Sequence, residues 1–438
     1  MELVDALCSS SNAKSVVELS LEGCFQRSYS ALFKALKEYQ PRDGDLAQLA
    51  GPYLPLPEQR FFWLLGVDVT SQPRPYAHTL EERGFVYQPN LIWGNKPITI
   101  GHQYSTVALL PEKDDRHPAP WVVPLSCQRV KRAETKVLVG AEQIGALLED
   151  EKLPFHGQLT VEVGDSDYSQ PAFLAANRNH EHLVSLVRCR SNRTFYRLEY
   201  RSPEETGGAP GHYGRPFKLK DPDTWEAADE AITLPFISRR GRTYQVGIQA
   251  WHNLIMKGRN KPRRIRMYDY PFTLVRIVLL DEEGQLRFKH PLWLLVVGER
   301  RHELSLADIH QAYAQRSDLE LFFRFGKQRL LLADYQTPQT KREEGWWQLS
   351  HLAYLQLWVA RETAAGLPRP WERHLSQHKS GKITPTLVQR DFERLISQFG
   401  TPAKAPKPRG KSPGRKKGFR LPPRQRQKVL KKDEIPPS

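Results

Sequence analysis

Along RFFWLLGVDVTS an unbroken apolar run predicts a buried strand with Asp68 near its far end. PITIGHQYSTVALLP and PWVVPLSCQRV predict two further strands, with DDRHPAP as the hairpin turn between them, and ETKVLVGAEQIGALLEDEK predicts a helix. In GQLTVEVGDSDYSQP, Leu159, Val161 and Val163 alternate as a strand that runs into Asp165, Ser166, Asp167 and Tyr168. QPAFLAANRN then reads as a short helix and HLVSLVRCR as another strand. The predicted order is strand, strand, strand, helix, strand, helix, strand.

Before this block, Val16, Val17, Leu19, Leu21, Phe25, Tyr29, Leu32, Phe33 and Leu36 carry helical periodicity from about Ala13 to Tyr39. A short helix around Leu46 to Leu49 follows and ends at Gly51-Pro52. No helix-turn-helix is evident, so the unit is open to DNA binding or to packing. After the block, TFYRLEY, YQVGIQAWHNLIM, FTLVRIVLLD and LWLLVVGER predict strands, the last placed either in the insertion they form or at the edge of the preceding block. SLADIHQAYAQRSDLELFFRFGKQRLLL predicts one amphipathic helix, with Leu306, Ile309, Ala312, Leu319, Phe322, Phe323 and Leu330 as its apolar stripe. Ser305 three residues before Asp308 suits its start. GWWQLSHLAYLQLWVARETAAGL predicts a second long helix whose tryptophans suit core packing.

Charge changes the picture at the end of the chain. Of a net charge of +16, the residues from Thr401 onward supply 13 Lys or Arg against Asp433 and Glu434. With eight prolines and few large apolar residues, that tail is expected to be disordered and able to bind polyanions, with solubilising or RNA-associating roles as the alternative. A second basic run puts six cations between Lys257 and Arg266, in a loop expected to face DNA. Cys8, Cys24, Cys127 and Cys189 lack CxxC spacing, which argues against a zinc site or a disulfide framework and for a reducing compartment. No long apolar run or signal-peptide pattern is present, so a cytoplasmic protein without membrane contact is expected.

Two features suggest chemistry. Asp68 sits inside an apolar strand, where a charge is costly unless it is paired or binds a metal, although Asp also favours loop starts. The string Tyr313, Arg316, Glu320, Lys327 falls at roughly 0°, 300°, 340° and 320° on a helix turning about 100° per residue, an arc of about 60°. One acid, two cations and one aromatic ring thus share a helix face.

That tyrosine-x2-arginine-x3-glutamate-x6-lysine pattern, with Asp68 on a first strand and the DSDY segment after a fourth, resembles DDE transposases of the insertion-sequence 4 family. The resemblance covers roughly residues 60 to 335 and implies an α/β fold: a ribonuclease H-like core with an N-terminal helical region and a β-rich insertion before the last catalytic helix. The corresponding division is 1–58 helical region, 59–190 first part of the core, 191–290 insertion, 291–400 second part of the core with the catalytic helix, and 401–438 tail. The resemblance implies Asp68, Asp165 and Glu320 as catalytic metal ligands. Two Mg2+ ions are expected, with Mn2+ able to substitute; Asp68 would bridge them while the other acids hold one each. Asp167 faces the same side as Asp165 on a continuing strand and stays an alternative second ligand. Arg316 and Lys327 would clamp phosphates, and Tyr313 would contact the terminal phosphate or a displaced base. Trp251 and Trp293 are candidates for stacking a flipped base, with ordinary packing favoured for each. The implied activity is cut-and-paste transposition by a homodimer acting on terminal inverted repeats and target DNA, nucleoid-associated when bound. Another ribonuclease H-like nuclease and a domesticated, non-cutting DNA-binding protein are the alternatives.

Overall fold

The computed structural model describes residues 2–10, 12–42, 44–88, 97–113, 118–201, 204, 211–238, 241–258, 265–366, 383–398, 417–420 and 422–431. The centre of the basic run, 259–264, most of the tail and part of the DDRHPAP turn lie outside the described residues.

The core strands are β1 (Trp63–Pro73), β2 (Gly84–Tyr87), β3 (Ile98–Leu109), β4 (Val123–Arg129), β5 (Thr160–Gly164) and β6 (Leu183–Cys189). β1 pairs antiparallel with β3, with Asp68 opposite Thr106, and β3 pairs antiparallel with β4. On its other side β1 pairs in parallel with β5, which pairs in parallel with β6. Helix α4 (Lys136–Glu149) joins β4 to β5, and α5 (Pro171–Asn177) joins β5 to β6. The order β4-β3-β1-β5-β6 with these directions is that of a ribonuclease H-like core. Parallel β1, β5 and β6 are buried on both faces, so their sequences are apolar runs more than alternations. β2 lies outside the predicted strands; GFVY is short, and it pairs with the first residues of β3.

The sheet does not stop at β6. β12 (Leu292–Val297) pairs antiparallel with β6 on one side and with β11 (Phe272–Leu280) on the other. Beyond β11 lie β10 (Thr243–Ile255), β7 (Thr194–Arg201) and β8 (Gly211–Lys218), with β9 (Glu230–Ile237) on β10. LWLLVVGER is therefore both the edge of the core and the root of the insertion, which continues the core sheet.

Helices α1 (Glu2–Ser9), α2 (Tyr29–Glu38) and α3 (Asp45–Ala50) precede β1. The periodic stretch predicted from Ala13 divides into a short 3-10 turn, Val16–Leu21, and α2. The long helix α8 (Thr340–Gly366) and α9 (Pro385–Gln398) follow the core. Apolar residues of α1, including Leu3, Val4, Ala6 and Leu7, are buried, and Gln356 of α8 and Gln389 of α9 donate to Asp5 Oδ1 (2.7 Å) and Ser10 O (2.9 Å). Packing occupies this face of the N-terminal region.

The predicted single signature helix is two, α6 (Leu306–Gln315) and α7 (Ser317–Arg329), broken at Arg316. Ser305 and Asp308 form the capping box that starts α6. At the break the Arg316 amide bonds back to Tyr313 O and Leu319 to Arg316 O, both three residues away, while Ser317 Oγ donates to Ala314 O at 3.0 Å. That hydroxyl competes for a helical acceptor and tightens the turn. Tertiary bonds hold the joint: Arg60 and Gln315 bond across it at 3.2 Å, and Lys113 pairs with buried Asp318 at 2.6 Å.

Of the tail, residues 417–420 and 422–431 are described. Residues 427–430 lie along the segment that leads into β2: Gln427 N donates to His78 O and Leu430 N to Arg83 O, both at 2.9 Å, and Leu430 forms a parallel bridge with Gly84 at the free edge of the strand. Leu430 is 2 % exposed. One buried leucine and an unpaired strand edge suffice to dock a segment too polar to fold alone.

Candidate active site

Asp68 lies where β1 runs past the end of its pairing with β5, so its side chain emerges above the carboxyl ends of the parallel strands. On the same strand face is Gly66, and α7 lies directly over it: a Cβ there would come within 2.6 Å of Leu319 Cδ1. Glycine at this position lets the helix approach closely, and the next helical residue, Glu320, is delivered beside Asp68. The link between the two acids is Arg316, whose guanidinium reaches Asp68 Oδ2 at 3.4 Å and Glu320 Oε1 at 3.1 Å. The turn at Arg316 therefore leaves Asp68, Arg316 and Glu320 together.

Asp165 follows β5 directly, and its Oδ1 accepts the Asp167 amide at 2.8 Å, a local turn. Asp167 is tied to Lys136, the first residue of α4, and to Arg190 at 2.9 Å. Asp165 makes no ion pair among the described residues, while Asp167 is neutralised by two. Tyr168 points inward, 1 % exposed, its ring edge-on to Phe173 at 4.9 Å. It packs the floor beneath the acids.

Burial raises the Asp68 carboxyl to about 6; the negative charges of Asp165 and Glu320 push in the same direction and Arg316 opposes them. The Asp68 side chain is 19 % exposed and that of Glu320 58 %. Burial works against the charge on Arg316, but Asp68, Tyr313 and Glu320 outweigh it and hold its pKa above the usual arginine range. Lys327 lies one strand step further along, with Nζ on Thr70 Oγ1 at 2.6 Å and on Ser71 O at 3.2 Å; burial lowers its pKa, with Asp68 opposing. Tyr313 is almost wholly buried, and burial raises its hydroxyl pKa with the nearby Arg316 charge opposing, so this ring offers little surface to a base.

Among the described residues no three Asp, Glu, His or Cys side chains converge closely enough to enclose a metal ion. Asp68 and Glu320 are instead joined through the Arg316 charge, with Asp165 near enough to act on Asp68. Their chemistry fits a divalent cation: they are hard oxygen donors, and the burial that chiefly raises Asp68, with Asp165 and Glu320 adding to it, is countered by positive charge. Glu320 has the exposure to turn toward the other two.

Trp251 and Trp293 are far from available for a flipped base. They are 2 % and 1 % exposed, and with Trp225 and Phe217 they form the aromatic centre of the insertion sheet, ring centroids 5.1 to 6.4 Å apart. Sequence reading also passed over Lys136 and Arg190, which neutralise Asp167, and Arg188, whose charge acts on Tyr313. Thr70 was within reach of it, two residues after Asp68 and so on the same strand face.

A family model described as DDE superfamily endonuclease matches residues 1–256 of the 438. The match spans Asp68 and Asp165 and ends before the signature helices. No curated protein matches the chain.

Proposed function

The chain belongs to the DDE superfamily of endonucleases, and from that membership, which carries nuclease or transposase-type action on DNA, we propose that it is a transposase. It would excise and insert a DNA segment by a cut-and-paste route, with Asp68, Asp165 and Glu320 as the metal-holding acids. The observation that carries this reading is the junction at Arg316: one arginine on the signature turn touches the carboxylates of a core strand and of a late helix, 252 residues apart in sequence, beside Asp165. No helix among the described residues is long and apolar enough to cross a membrane.

When bound, Mg2+ supplies Lewis acidity for the phosphorus centre and for the attacking water or 3′-hydroxyl. The protein's own part is placement. The three acids would hold the metal, with Asp68 fixed by the sheet and by the Val69 amide on its Oδ1 at 2.8 Å. Asp167 keeps its two cations, so it orients the turn that presents Asp165. Arg316 and Lys327 would hold non-bridging phosphate oxygens, the first through a bidentate fork and the second as a point charge. Tyr313, buried near the arginine, would back it rather than meet the DNA. A homodimer bridging two DNA ends belongs to the same reading.

The test is Mg2+-dependent cutting of duplexes that carry the inverted repeats flanking the coding region. Asp68→Ala, Asp165→Ala and Glu320→Ala should each reduce cutting by more than about 100-fold, since outer-shell partners of metals alone are worth about 10–100-fold. End binding should persist in all three. Normal cutting by Asp165→Ala with loss in Asp167→Ala would reassign the second ligand. Cleavage of RNA in hybrids without cutting at the repeats would replace the transposase reading by a different nuclease.

A further inference from the structure

The docked tail segment builds a surface of its own. Besides the two backbone bonds to residues 78 and 83, Arg132 clamps it from the α4 side, donating to Leu430 O at 3.0 Å and to Phe85 O at 3.2 Å. Gly84 makes room for that clamp, because a Cβ there would meet the Arg132 guanidinium at 2.5 Å. The strap is thus held by both strand and side chain. Its remaining cations point outward: Arg424, Arg426 and Lys428 are exposed and pair with no carboxylate among the described residues.

The acids of this face are already engaged. Glu81 accepts from the Thr340 amide and hydroxyl, Glu82 pairs with Arg129, and Glu134 with Lys131. Two clefts flank the strap. One, about 370 Å3, is lined by Arg424, Gln425, Gln427 and Arg342 among others. The other, about 420 Å3, runs from Lys431 past Lys131 and Arg132 to Lys136 and Gln170. Lys136 is the residue that pairs with Asp167, two positions after Asp165. A basic path therefore leads from the strap to the rim of the carboxylate site.

We propose that the strap, residues 422–431, with the cleft between it and the start of α4, is a docking surface for the phosphate backbone of duplex DNA on one side of the cleaved bond. The proposal rests on DNA being the substrate. Exposed lysines and arginines at unpaired positions, without a groove-reading element, suit sequence-independent phosphate contacts. Anchoring by Leu430 distinguishes this from a loose polyelectrolyte tail, since fixed cations hold the duplex in register with the site.

The experiment uses the full chain and a 30-base-pair duplex of arbitrary sequence, with affinity measured across a series of KCl concentrations. In the triple variant Arg424→Gln, Arg426→Gln, Lys428→Gln, the slope of log affinity against log salt should fall by about 2 to 3, at about 0.9 per phosphate contact, with unchanged thermal melting. Leu430→Ala keeps every charge but releases the strap, and it should also weaken duplex binding several-fold. An unchanged slope in the triple variant overturns the proposal. So does full affinity in Leu430→Ala, which would assign binding to a mobile polycation, and so does a loss confined to an RNA hairpin competitor. Failure of the nuclease reading is read separately: Asp68→Ala cutting normally would sink that reading, whereas the salt slope reports only on the strap.

Discussion

At the rim above the carboxyl ends of β1 and β5 charge is gathered and left within reach of solvent; in the insertion sheet Trp225, Trp251, Trp293 and Phe217 exclude it. Both regions are cross-linked by several elements, and both hold residue types that suit DNA. They differ in access. Glu320 is 58 % exposed and Arg316 joins it to Asp68, so the group can exchange one cation for another. The indole of Trp293 is buried, and among the described residues only Trp225 of this group carries a cation, Arg276 at 5.2 Å from its ring centre. A residue serves DNA where its polar end meets the outside, and it serves the fold where it does not.

The largest expected effect separates these two roles. Glu320→Ala should lose more than about 100-fold in cutting with its melting temperature almost unchanged, because an exposed side chain contributes little to stability. Trp293→Ala should do the reverse, costing about 3–5 kcal/mol of stability through the cavity left in the aromatic centre. Its folded fraction at low temperature should still cut. Should Trp293→Ala melt like the parent yet fail on DNA, the insertion sheet would have to be reassigned to substrate contact.

A second carboxylate sharpens the contrast from within the core. Glu162 on β5 is wholly buried beside Ser185 and Asn177, and no lysine or arginine pairs with it among the described residues. Burial raises its carboxyl from 4.5 to about 8, with Ser185 and Asn177 pulling the other way. The unfolded chain then releases this proton near pH 4.5 while the folded chain keeps it to about pH 8. The folded state binds more protons over that window, so stability falls as pH rises through it and levels off above. Glu162→Gln should remove this slope. The measurement is denaturant unfolding of both proteins between pH 5 and 8, and parallel curves would show that Glu162 is ionised in the fold.

How far these roles were legible beforehand follows from what each depends on. The strand order and Asp68 were legible because buried parallel strands write themselves as apolar runs, and a lone acid in such a run stands out. The spacing of Arg316 and Glu320 was legible because helical neighbours repeat every three or four residues. That Trp251 and Trp293 pack was legible as well, but not against what, since Trp225 and Phe217 are brought in by pairing of strands distant in sequence. Nor was the strap: Leu430 is a single apolar residue in a basic, proline-rich stretch, and its partner is an edge strand of four residues. Lys136 and Arg190 reach Asp167 from a helix start and a strand end, and nothing local marks either.

The break at Arg316 gives the smallest effect and the finest test of how the rim is held. Ser317→Ala removes the hydroxyl that takes Ala314 O, which should cost about 0.5–1.5 kcal/mol at most, the worth of one ordinary hydrogen bond. If that bond alone made the turn, α6 and α7 would merge into one straight helix, and the Arg316 guanidinium would swing with the new helix phase. The flanking contacts oppose this. Gln315 is held by Arg60, Asp318 by Lys113, and Leu319 rests on Gly66. Each belongs to a different neighbour, so the turn is set by tertiary packing and the serine only satisfies it. Ser317→Ala should therefore cut DNA within about twofold of the parent, whereas Lys113→Ala, which strands the buried Asp318 carboxylate, should lower both stability and cutting. A larger loss in Ser317→Ala than in Lys113→Ala would show that the geometry of the rim is written locally in the helix.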